Sequence, residues 1–492
     1  MCINWITYRK PTGIMLEVQV ISRKIIKPFF PTPDHLQYYQ FSFLDQISSP
    51  KMYISLILFF EFNGKAQPNI TEISKHLKKS LAEVLALFYP LAGRVHDNLH
   101  VDCSDQGVPF LEAHVKNCKL SDILANPIPD ELPKLVPFEL DDSEHKIPLG
   151  VQLNVFECGG FAIGQCISHK VSDGLSMLMF TKAWAATARR ALGDHQAVIH
   201  RPEFISAILF PPKLLAETSV GLAKNKMTKR FVFDASNIEH LREKYVEGER
   251  PTRIETLTAF IWSRLVAVTK DNGIPDHKKS HIVSHVVNLR RKFDPPLSPR
   301  TYGNVISLAD STPSLLNTKE ECYGLAKQVR EAVRKIDKSY IKKLQQGHDV
   351  HRTSDGSSIT SLFSSLCHFP LYDNDFGWGR PSWVSMGIPG LEFDNVVVFF
   401  DTKDGDGIEA TISSTDEVLS KLESDNEFLK RLRSSWVSSS LSLTPKAITT
   451  ANIHTRNQSS MIKKPSAQTK PLRWGSGSVK LFGLALKVFR KR

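Results

Sequence analysis

Alternating or continuous apolar runs are separated along this chain by segments in which apolar residues recur every three or four positions. The run Leu16-Glu17-Val18-Gln19-Val20 alternates and predicts a first strand, while Phe161–Ser168 and Val396–Phe400 are mostly apolar and predict buried strands. Residues Leu175–Ala191 have the periodicity of a helix. Because strands and helices of this kind alternate throughout, the sequence predicts an α/β protein with sheets covered by helices.

An amphipathic helix is predicted after Asn69, a good N-cap residue that stands three positions before Glu72 in a capping-box pattern. We expect this helix to end at Pro90, which cannot continue it. Its apolar face is formed by residues spaced three or four apart, namely Ile73, Leu77, Leu81, Leu85 and Phe88.

The second half of the chain repeats this alternation. Strands are predicted at Arg230–Phe233 and His281–Val287, and an amphipathic helix at Thr318–Lys335. Ser236 to Glu239 forms a second capping-box pattern directly after the first of these strands. Asp404–Gly407 is predicted to be a hairpin turn after the buried strand at 396–400.

The length of 492 residues, of which 41% are hydrophobic, predicts a large core divided between two domains. We expect an N-terminal domain over residues 15–200, a proline-containing crossover over 201–225 and a C-terminal domain over 226–440. Residues 441–492 are rich in Ser, Thr, Lys and Pro, and they predict a basic, disordered tail.

The net charge of +12 is located at the two ends of the chain. Residues 441–492 contain eleven Lys or Arg and no Asp or Glu, and residues 1–14 add Arg9 and Lys10. The remaining residues, 15–440, carry 50 basic and 51 acidic side chains. The body of the protein is therefore close to neutral, and its charge gives no reason to expect a nucleic-acid partner.

Several classes of protein are disfavoured. No apolar run reaches the ~18 to 20 residues needed to cross a bilayer, and the chain does not begin with a basic region followed by an apolar segment. The seven cysteines are widely spaced and form no CxxC pair, which argues against a disulfide framework and a zinc site. We therefore expect a cytoplasmic protein with reduced thiols and no metal.

One histidine is placed where chemistry can use it. His169 follows the predicted strand at 161–168 and precedes the predicted helix at 175–191, in the segment His169-Lys170-Val171-Ser172-Asp173-Gly174. Rigid elements on both sides hold the imidazole still, as a general base requires. Asp173, four residues later, is a candidate to orient the ring.

A second motif, Asp375-Phe376-Gly377-Trp378-Gly379, lies about 200 residues after the first. In this order the two segments resemble the HxxxDG and DFGWG motifs of the BAHD family of plant acyl-CoA-dependent acyltransferases. The resemblance covers about residues 15–430 and is closest to the vinorine synthase-like branch. It includes further ordered segments, namely Phe88–Arg94, Thr252–Glu255, Val287–Arg290 and Tyr302–Asn304.

This resemblance implies two chloramphenicol acetyltransferase-like domains, each a mixed sheet covered by helices, with a channel between them. His169 is then the general base that takes the proton from an acceptor hydroxyl as it attacks an acyl-CoA thioester. The implied co-substrate is acyl-CoA, with acetyl-CoA indicated by the branch, and no metal is implied. The implied acceptor is a small-molecule alcohol of plant secondary metabolism, such as an alkaloid or terpenoid, and the enzyme is expected to be a monomer.

The resemblance also implies roles for residues near these motifs. Asp173 is implied to pair with Arg290 and anchor the turn, and a relay through Asp173 to the histidine is the alternative. Asp375 is implied to be catalytic, with a role in stabilising the fold as its alternative. The residues implied to be structural at the site are Gly174, Gly377, Trp378 and Gly379, and those implied to bind the cofactor are Thr252, Arg253 and Asn304.

Three alternatives to acetyl transfer remain open at this point. The first is an acyltransferase that uses a longer or aromatic acyl-CoA, and the second is a catalytically silent paralogue that only binds. In the third, the basic tail contacts an anionic membrane or a nucleic acid, and this contact is the main function.

Overall fold

The structure is a computed structural model that describes residues 15–62, 69–137, 146–215, 226–246, 248–270, 281–312, 321–347, 358–387 and 393–433. The predicted tail, the first fourteen residues and the predicted start of the helix at 318–320 lie outside these ranges. No helix within them has both the length and the apolar character needed to span a membrane.

Fifteen strands are present in the described ranges. They are β1 (Glu17–Ile26), β2 (Tyr38–Gln40), β3 (Tyr53–Phe60), β4 (Arg94–Val95), β5 (His100–Asp102), β6 (Val108–Lys116), β7 (Leu149–Phe156), β8 (Phe161–Ser168), β9 (Lys226–Asp234), β10 (His281–Asn288), β11 (Ile306–Ser311), β12 (Ile359–Ser365), β13 (Trp383–Gly387), β14 (Asn395–Asp401) and β15 (Gly407–Thr415).

Eleven α-helices accompany these strands, together with short 3₁₀ turns. They are α1 (Phe43–Gln46), α2 (Ile70–Leu85), α3 (Leu120–Ala125), α4 (Gly174–Ala191), α5 (Ser206–Leu209), α6 (Ala235–Lys244), α7 (Arg253–Lys270), α8 (Glu321–Lys335), α9 (Lys338–Gln345), α10 (Asp416–Leu422) and α11 (Asn426–Leu429). Strands and helices alternate along both halves, so the protein is the mixed α/β protein that the sequence predicts.

The strands that the structure describes form two six-stranded mixed sheets and one three-stranded sheet. The first large sheet has the order β1-β6-β7-β8-β3-β13, and the second has the order β11-β10-β12-β14-β15-β9. The small sheet has the order β2-β5-β4. The second half of the chain thus supplies β13 to the first sheet, where Trp383 pairs with Phe59 of β3.

The strand β8 lies deep inside the first sheet, between β7 and β3. Every residue of β3 and β8 is buried, in keeping with their almost continuous apolar sequences. Helix α4 packs its apolar residues, including Phe180 and Trp184, into the core that covers this sheet. This burial fixes the end of β8 and the start of α4, the two places between which His169 lies.

Most predicted elements lie where the sequence places them. The predicted strands at 161–168, 281–287 and 396–400 coincide with β8, β10 and β14, and the turn at Asp404–Gly407 joins β14 to β15 as a hairpin. Asn69 caps α2 by accepting a hydrogen bond from the Thr71 N–H at 2.9 Å, but the predicted capping box with Glu72 is not formed. The division into domains at 201–225 remains a prediction.

Two predicted helix ends are wrong. Helix α2 ends at Leu85 and not at Pro90, because Tyr89–Ala92 forms a separate 3₁₀ turn. The predicted capping box from Ser236 to Glu239 is absent, since α6 begins at Ala235 with Asp234 as its N-cap residue and Ser236 already lies inside the helix. Strand β9 continues through Asp234 to pair with Gly407, and this pairing sets the start of α6.

Candidate active site

His169 is held by backbone contacts at the end of β8. Its N–H donates a hydrogen bond of 2.8 Å to the Met52 carbonyl, next to the pairing of Ser168 with Tyr53 of β3. A turn follows, in which the Val171 N–H donates to the Ser168 carbonyl at 3.1 Å. The main chain on both sides of the imidazole is therefore fixed, as the sequence predicts for this position.

The imidazole of His169 is favoured in its neutral form. Its side chain is partly exposed, but its Nδ1 atom is buried and has no hydrogen-bond partner among the described residues. Burial lowers the pKa of His169, and the opposing effects of its own backbone, Asp173 and Asn304 do not cancel this. A neutral imidazole at neutral pH can accept a proton, which is the state that a general base needs.

Asp173 directs its carboxylate to Arg290. Its Oδ2 accepts from the Arg290 Nη1 at 2.7 Å and its Oδ1 accepts from the Nη2 at 3.2 Å, with both side chains buried. The same carboxylate caps α4 by accepting from the Ser176 N–H at 2.8 Å, and it also accepts from the Val305 N–H at 3.1 Å. Although burial opposes it, Arg290 holds the pKa of Asp173 below its usual value. None of these contacts involves the imidazole of His169.

Arg290 connects α4 with the segment that precedes β11. Its Nε donates to the Thr301 carbonyl at 2.9 Å, and its Nη2 donates to the Gly303 carbonyl and the Ser176 Oγ, both at 3.1 Å. A buried guanidinium needs such acceptors to offset the loss of hydration. The Asp173–Arg290 pair therefore fixes this segment against the start of α4.

Asn304 lies beside the main chain of His169. Its Nδ2 donates to the His169 carbonyl at 2.6 Å and to Asp45 Oδ1 at 2.9 Å, and its backbone N–H donates to the same Oδ1 at 2.8 Å. Its side chain is buried. The structure therefore groups Asn304 with the histidine, and its implied role in binding the cofactor remains a prediction.

Asp45 is a buried carboxylate that the sequence reasoning missed. Its Oδ2 accepts from the Ser42 N–H at 2.8 Å and from the Ser42 Oγ at 2.6 Å, which forms a capping box at α1. Burial raises the pKa of Asp45, and the hydrogen bonds from Ser42 and Asn304 oppose this. The Ser-x-x-Asp spacing at 42–45 is the signal that would have identified the cap, but nothing in the sequence connects it with Asn304.

Gly174, the first residue of α4, lies close to the end of β12. A Cβ atom at this position would meet the Leu366 Cδ2 at 3.1 Å, closer than most packed contacts. A glycine therefore lets the two chain segments approach each other here.

The second motif forms a separate turn. Asp375 Oδ1 accepts from the N–H groups of Gly377 and Gly379, at 2.7 and 3.0 Å, and both glycines have a positive φ, of 108° and 101°. The Asp375 carbonyl accepts from Arg189 of α4 at 2.6 Å. These contacts explain the Asp-x-Gly-x-Gly pattern as a turn, since residues with a side chain rarely adopt such φ angles. The structure does not place Asp375 in contact with His169.

Aromatic packing holds this turn on the first half of the chain. Phe376 is buried and meets the Trp184 ring edge-to-face at 4.9 Å. Trp378 packs edge-to-face against Phe161 at 5.7 Å and against His76 at 5.5 Å. The motif therefore contacts α2, β8 and α4, which are elements that position His169.

Thr252 and Arg253 begin helix α7. The Glu255 N–H bonds to the Thr252 Oγ1 at 3.2 Å, and the Thr252 N–H bonds to the Glu255 carboxylate at 2.8 Å, so the three-residue spacing forms a capping box. Arg253 is partly exposed and lies 3.4 Å from Asp401 Oδ1. Asp401 also accepts from the His368 N–H, two residues after Leu366. Arg253 thus lies near the segment Leu366–His368, whose first residue approaches Gly174. His169, Asp173, Arg290 and Asn304 form a cluster of their own.

Comparisons with known proteins place this chain among plant acyltransferases. A family model described as the Transferase family matches residues 16–429. A limonoid 21-O-acetyltransferase of Melia azedarach is 36% identical over 425 residues, which cover 83% of this chain and 97% of that relative. A stemmadenine O-acetyltransferase of Catharanthus roseus is 35% identical over 421 residues, which cover 83% of this chain and 97% of that relative. The crystal structure of vinorine synthase superposes with a TM-score of 0.73 at 31% identity, covering 85% of this chain and 99% of that one.

Proposed function

Because this chain belongs to the BAHD family of acyl-CoA-dependent acyltransferases, we propose that it transfers an acetyl group from acetyl-CoA to a hydroxyl group of a plant alkaloid or terpenoid. The observation that carries this proposal is the position of His169 between β8 and α4, where backbone hydrogen bonds fix its main chain. The acetyl donor and the class of acceptor follow from the names of the relatives.

In the proposed reaction, His169 acts as the general base. Its Nε2 takes the hydroxyl proton of the acceptor while the hydroxyl oxygen attacks the thioester carbonyl, because Nδ1 is buried and faces no solvent. The new C–O bond gives a tetrahedral intermediate. When the C–S bond breaks, the CoA sulfur leaves as a thiolate and takes the proton from the imidazolium. The acetyl ester and free CoA are the products, and no acyl-enzyme forms.

The neighbouring residues position this base and do not react. Asp173 has its oxygens engaged by Arg290 and by backbone N–H groups, and this supports the role of an anchor over that of a relay. Asn304 bonds to the His169 carbonyl and fixes the main chain that carries the ring. Within this proposal Asp375 stabilises the turn on which α4 rests, since its carboxylate caps two backbone N–H groups.

Arg253 is proposed to bind a phosphate group of CoA. Its side chain is partly exposed, and its contact with Asp401 at 3.4 Å is longer than a good hydrogen bond, so a phosphate competes well for the guanidinium. The Thr252 hydroxyl is engaged in the helix cap, so we expect Thr252 to contact CoA only through its backbone. We also propose that the enzyme acts as a cytoplasmic monomer, as the resemblance implies.

The experiment that tests this function measures thiol release from acetyl-, malonyl-, benzoyl- and coumaroyl-CoA with a panel of alkaloid and terpenoid alcohols. We expect turnover with acetyl-CoA and a loss of about 10²–10⁴-fold in kcat for His169→Ala. His195→Gln, at an exposed position, serves as the control and keeps full activity. Equal turnover by wild type and His169→Ala overturns the general-base assignment.

The same panel separates the alternatives. A preference for benzoyl- or coumaroyl-CoA keeps the acyltransferase function but replaces the acetyl donor. Binding of acyl-CoA without turnover of any acceptor on the panel contradicts the proposed function and favours a silent binding protein. Truncation at residue 440 tests the tail, and unchanged activity of that variant shows that residues 441–492 are not needed for the chemistry.

A further inference from the structure

Two histidines and an aspartate converge at the turn between β4 and β5, away from the cluster around His169. The side chains of His96, Asp97 and His100 place their potential ligand atoms within 4.8 Å of one another. The His96 Nδ1 lies 3.5 Å from Asp97 Oδ2, and the His100 Nδ1 lies 3.3 Å from Asp97 Oδ1. Nothing in the proposed transferase chemistry uses these groups.

These separations fit two ligands of one metal ion better than they fit hydrogen bonds. An N–H···O hydrogen bond has its nitrogen and oxygen about 2.7–3.2 Å apart. Two ligands that each lie about 2.0–2.1 Å from a tetrahedral zinc ion are about 3.3 Å apart. The distances of 3.3 Å from His100 to Oδ1 and 3.5 Å from His96 to Oδ2 are both of this size, so an ion fits between either imidazole and the carboxylate.

The carboxylate of Asp97 is oriented before any ligand arrives. Its Oδ1 accepts from the Leu99 N–H at 2.7 Å and from the His100 N–H at 3.2 Å, which closes the turn and leaves Oδ2 free of backbone donors. Metal ligands in proteins are commonly held in place by hydrogen bonds of this kind from neighbouring groups.

The two imidazoles differ in their surroundings, since His100 is mostly covered and His96 is exposed. The rings of His96 and His100 are stacked, with centroids 5.0 Å apart and an angle of 19° between their planes. The ring of Tyr38 from the neighbouring strand also packs against His100, with centroids 4.7 Å apart. The His96 N–H donates to the His100 carbonyl at 3.2 Å, so the two histidines lie on paired main-chain segments. Because His96 is largely exposed, its ring can turn out of this stack and direct its Nδ1 to an ion held by His100 and Asp97.

From this geometry we propose that His96, Asp97 and His100 form a binding site for one divalent transition-metal ion of the zinc type. Two imidazoles and one carboxylate suit Zn²⁺, Co²⁺, Ni²⁺ and Cu²⁺, whereas Mg²⁺ and Ca²⁺ prefer oxygen ligands. A water molecule completes the coordination on the exposed side. The site is an addition to the sequence analysis, which predicts no metal.

The turn is connected to the residue that follows the catalytic histidine. Asn98, between the ligands, accepts a hydrogen bond from the buried Lys170 Nζ through its Oδ1. Its carbonyl accepts from the Gln46 Nε2 at 2.9 Å. An ion that fixes the turn thus also fixes Asn98, the hydrogen-bond partner of Lys170. Metal binding is therefore expected to raise the unfolding temperature of the whole protein.

The test uses the untagged, full-length protein after treatment with a chelator. Co²⁺ is titrated while the visible absorption bands of a tetrahedral Co²⁺ complex are recorded, and Zn²⁺ is then added to displace it. We expect one Co²⁺ per chain, loss of the bands on adding Zn²⁺, and a higher unfolding temperature with Zn²⁺ than with Mg²⁺.

Three variants locate the site. His96→Gln combined with His100→Gln is expected to abolish the bands, and Asp97→Asn is expected to weaken binding at least tenfold while its amide oxygen keeps the turn closed. His195→Gln combined with His200→Gln also removes two histidines, both at exposed positions, and is expected to leave binding unchanged. Bands of full intensity in the first variant, or no bands in the wild type, overturn the proposal. Circular dichroism confirms that each variant is folded.

Discussion

The Asp173 carboxylate accepts two hydrogen bonds from the Arg290 guanidinium, at 2.7 and 3.2 Å, across a separation of 117 residues. The pair connects the start of α4, where the turn that carries His169 ends, to the segment that leads into β11. A charge in this position is tolerated only because its partner is present.

Removing the carboxylate is therefore expected to affect folding more than chemistry. Asp173→Asn leaves Arg290 buried without its counterion and should cost about 3–5 kcal/mol of unfolding free energy, measured by urea denaturation. Asp373→Asn breaks an exposed pair with Arg380 and should cost less than about 1 kcal/mol. A stable Asp173→Asn protein without any turnover contradicts the anchor role and favours the relay.

The pH dependence of the reaction reports the state of His169. Because burial lowers the pKa of this imidazole, the acid limb of kcat/KM is expected to lie below pH ~6.5, the usual value for histidine. Activity falls as the pH drops through this limb, since protonation removes the base. A limb above pH ~6.5 in initial-rate measurements with acetyl-CoA is not compatible with this assignment.

Asn304 is expected to act by positioning His169. Asn304→Ala removes the hydrogen bond to the His169 carbonyl and should lower kcat by about 10²-fold with little change in KM. Since Asn304 raises the pKa of the imidazole, the acid limb should also move to lower pH.

Asn395→Ala is the matched control for that variant. Asn395 is equally buried and hydrogen-bonds to Ser361 and Ser414 in the second sheet, at 3.1 and 2.8 Å. It should lose stability but keep both kcat and the pH profile. Similar profiles for the two variants argue that Asn304 is only structural.

Close packing around Gly164 of β8 predicts that a methyl group added there destabilises the protein. A Cβ atom on Gly164 would lie 2.0 Å from the Leu135 carbonyl oxygen, a main-chain atom that cannot rotate away. Gly164→Ala is expected to cost about 3 kcal/mol or more in chemical denaturation. Gly324→Ala adds the same group to helix α8, where no atom outside the helix's own backbone and its chain neighbours lies within 4 Å, and should stabilise the protein by up to ~1 kcal/mol. An unchanged midpoint for Gly164→Ala contradicts the close approach.

His285 predicts a loss of stability in acid. Burial in β10, where the ring stacks on Phe363 at 5.4 Å, lowers the pKa of His285 to about 4. Between pH ~6.5 and about 4 the unfolded chain binds a proton that the folded protein does not, so stability falls as the pH falls through this window. His285→Leu is expected to flatten this slope by up to about 1.4 kcal/mol per pH unit. The control variant His195→Gln, at an exposed position, should leave the slope of stability against pH unchanged. If His285→Leu also leaves the slope unchanged, His285 is not its source.

Features that are set by residues close together in the chain could be predicted from the sequence. The end of β8, the turn and the start of α4 form one continuous stretch, so the position of His169 between rigid elements can be derived from apolar periodicity alone. The turn of the second motif is likewise local, since Asp375 caps N–H groups only two and four residues away.

Contacts between distant residues were beyond such reasoning. Asp45 and Asn304 are 259 positions apart, and no periodicity connects them. The prediction of where α6 begins was wrong for a related reason. Asp234 and Ser236 are both good cap residues, and the pairing of Asp234 with Gly407, far along the chain, decides between them.

The placement of β13 beside β3 has a consequence for synthesis. A ribosome delivers Tyr53–Phe60 long before Trp383–Gly387, yet these segments are neighbours in the finished sheet. Until the later segment emerges, one edge of the apolar strand has no partner, and exposed edges of this kind promote association between chains. A fragment that ends before residue 383 is therefore expected to aggregate under conditions in which the full chain remains dispersed.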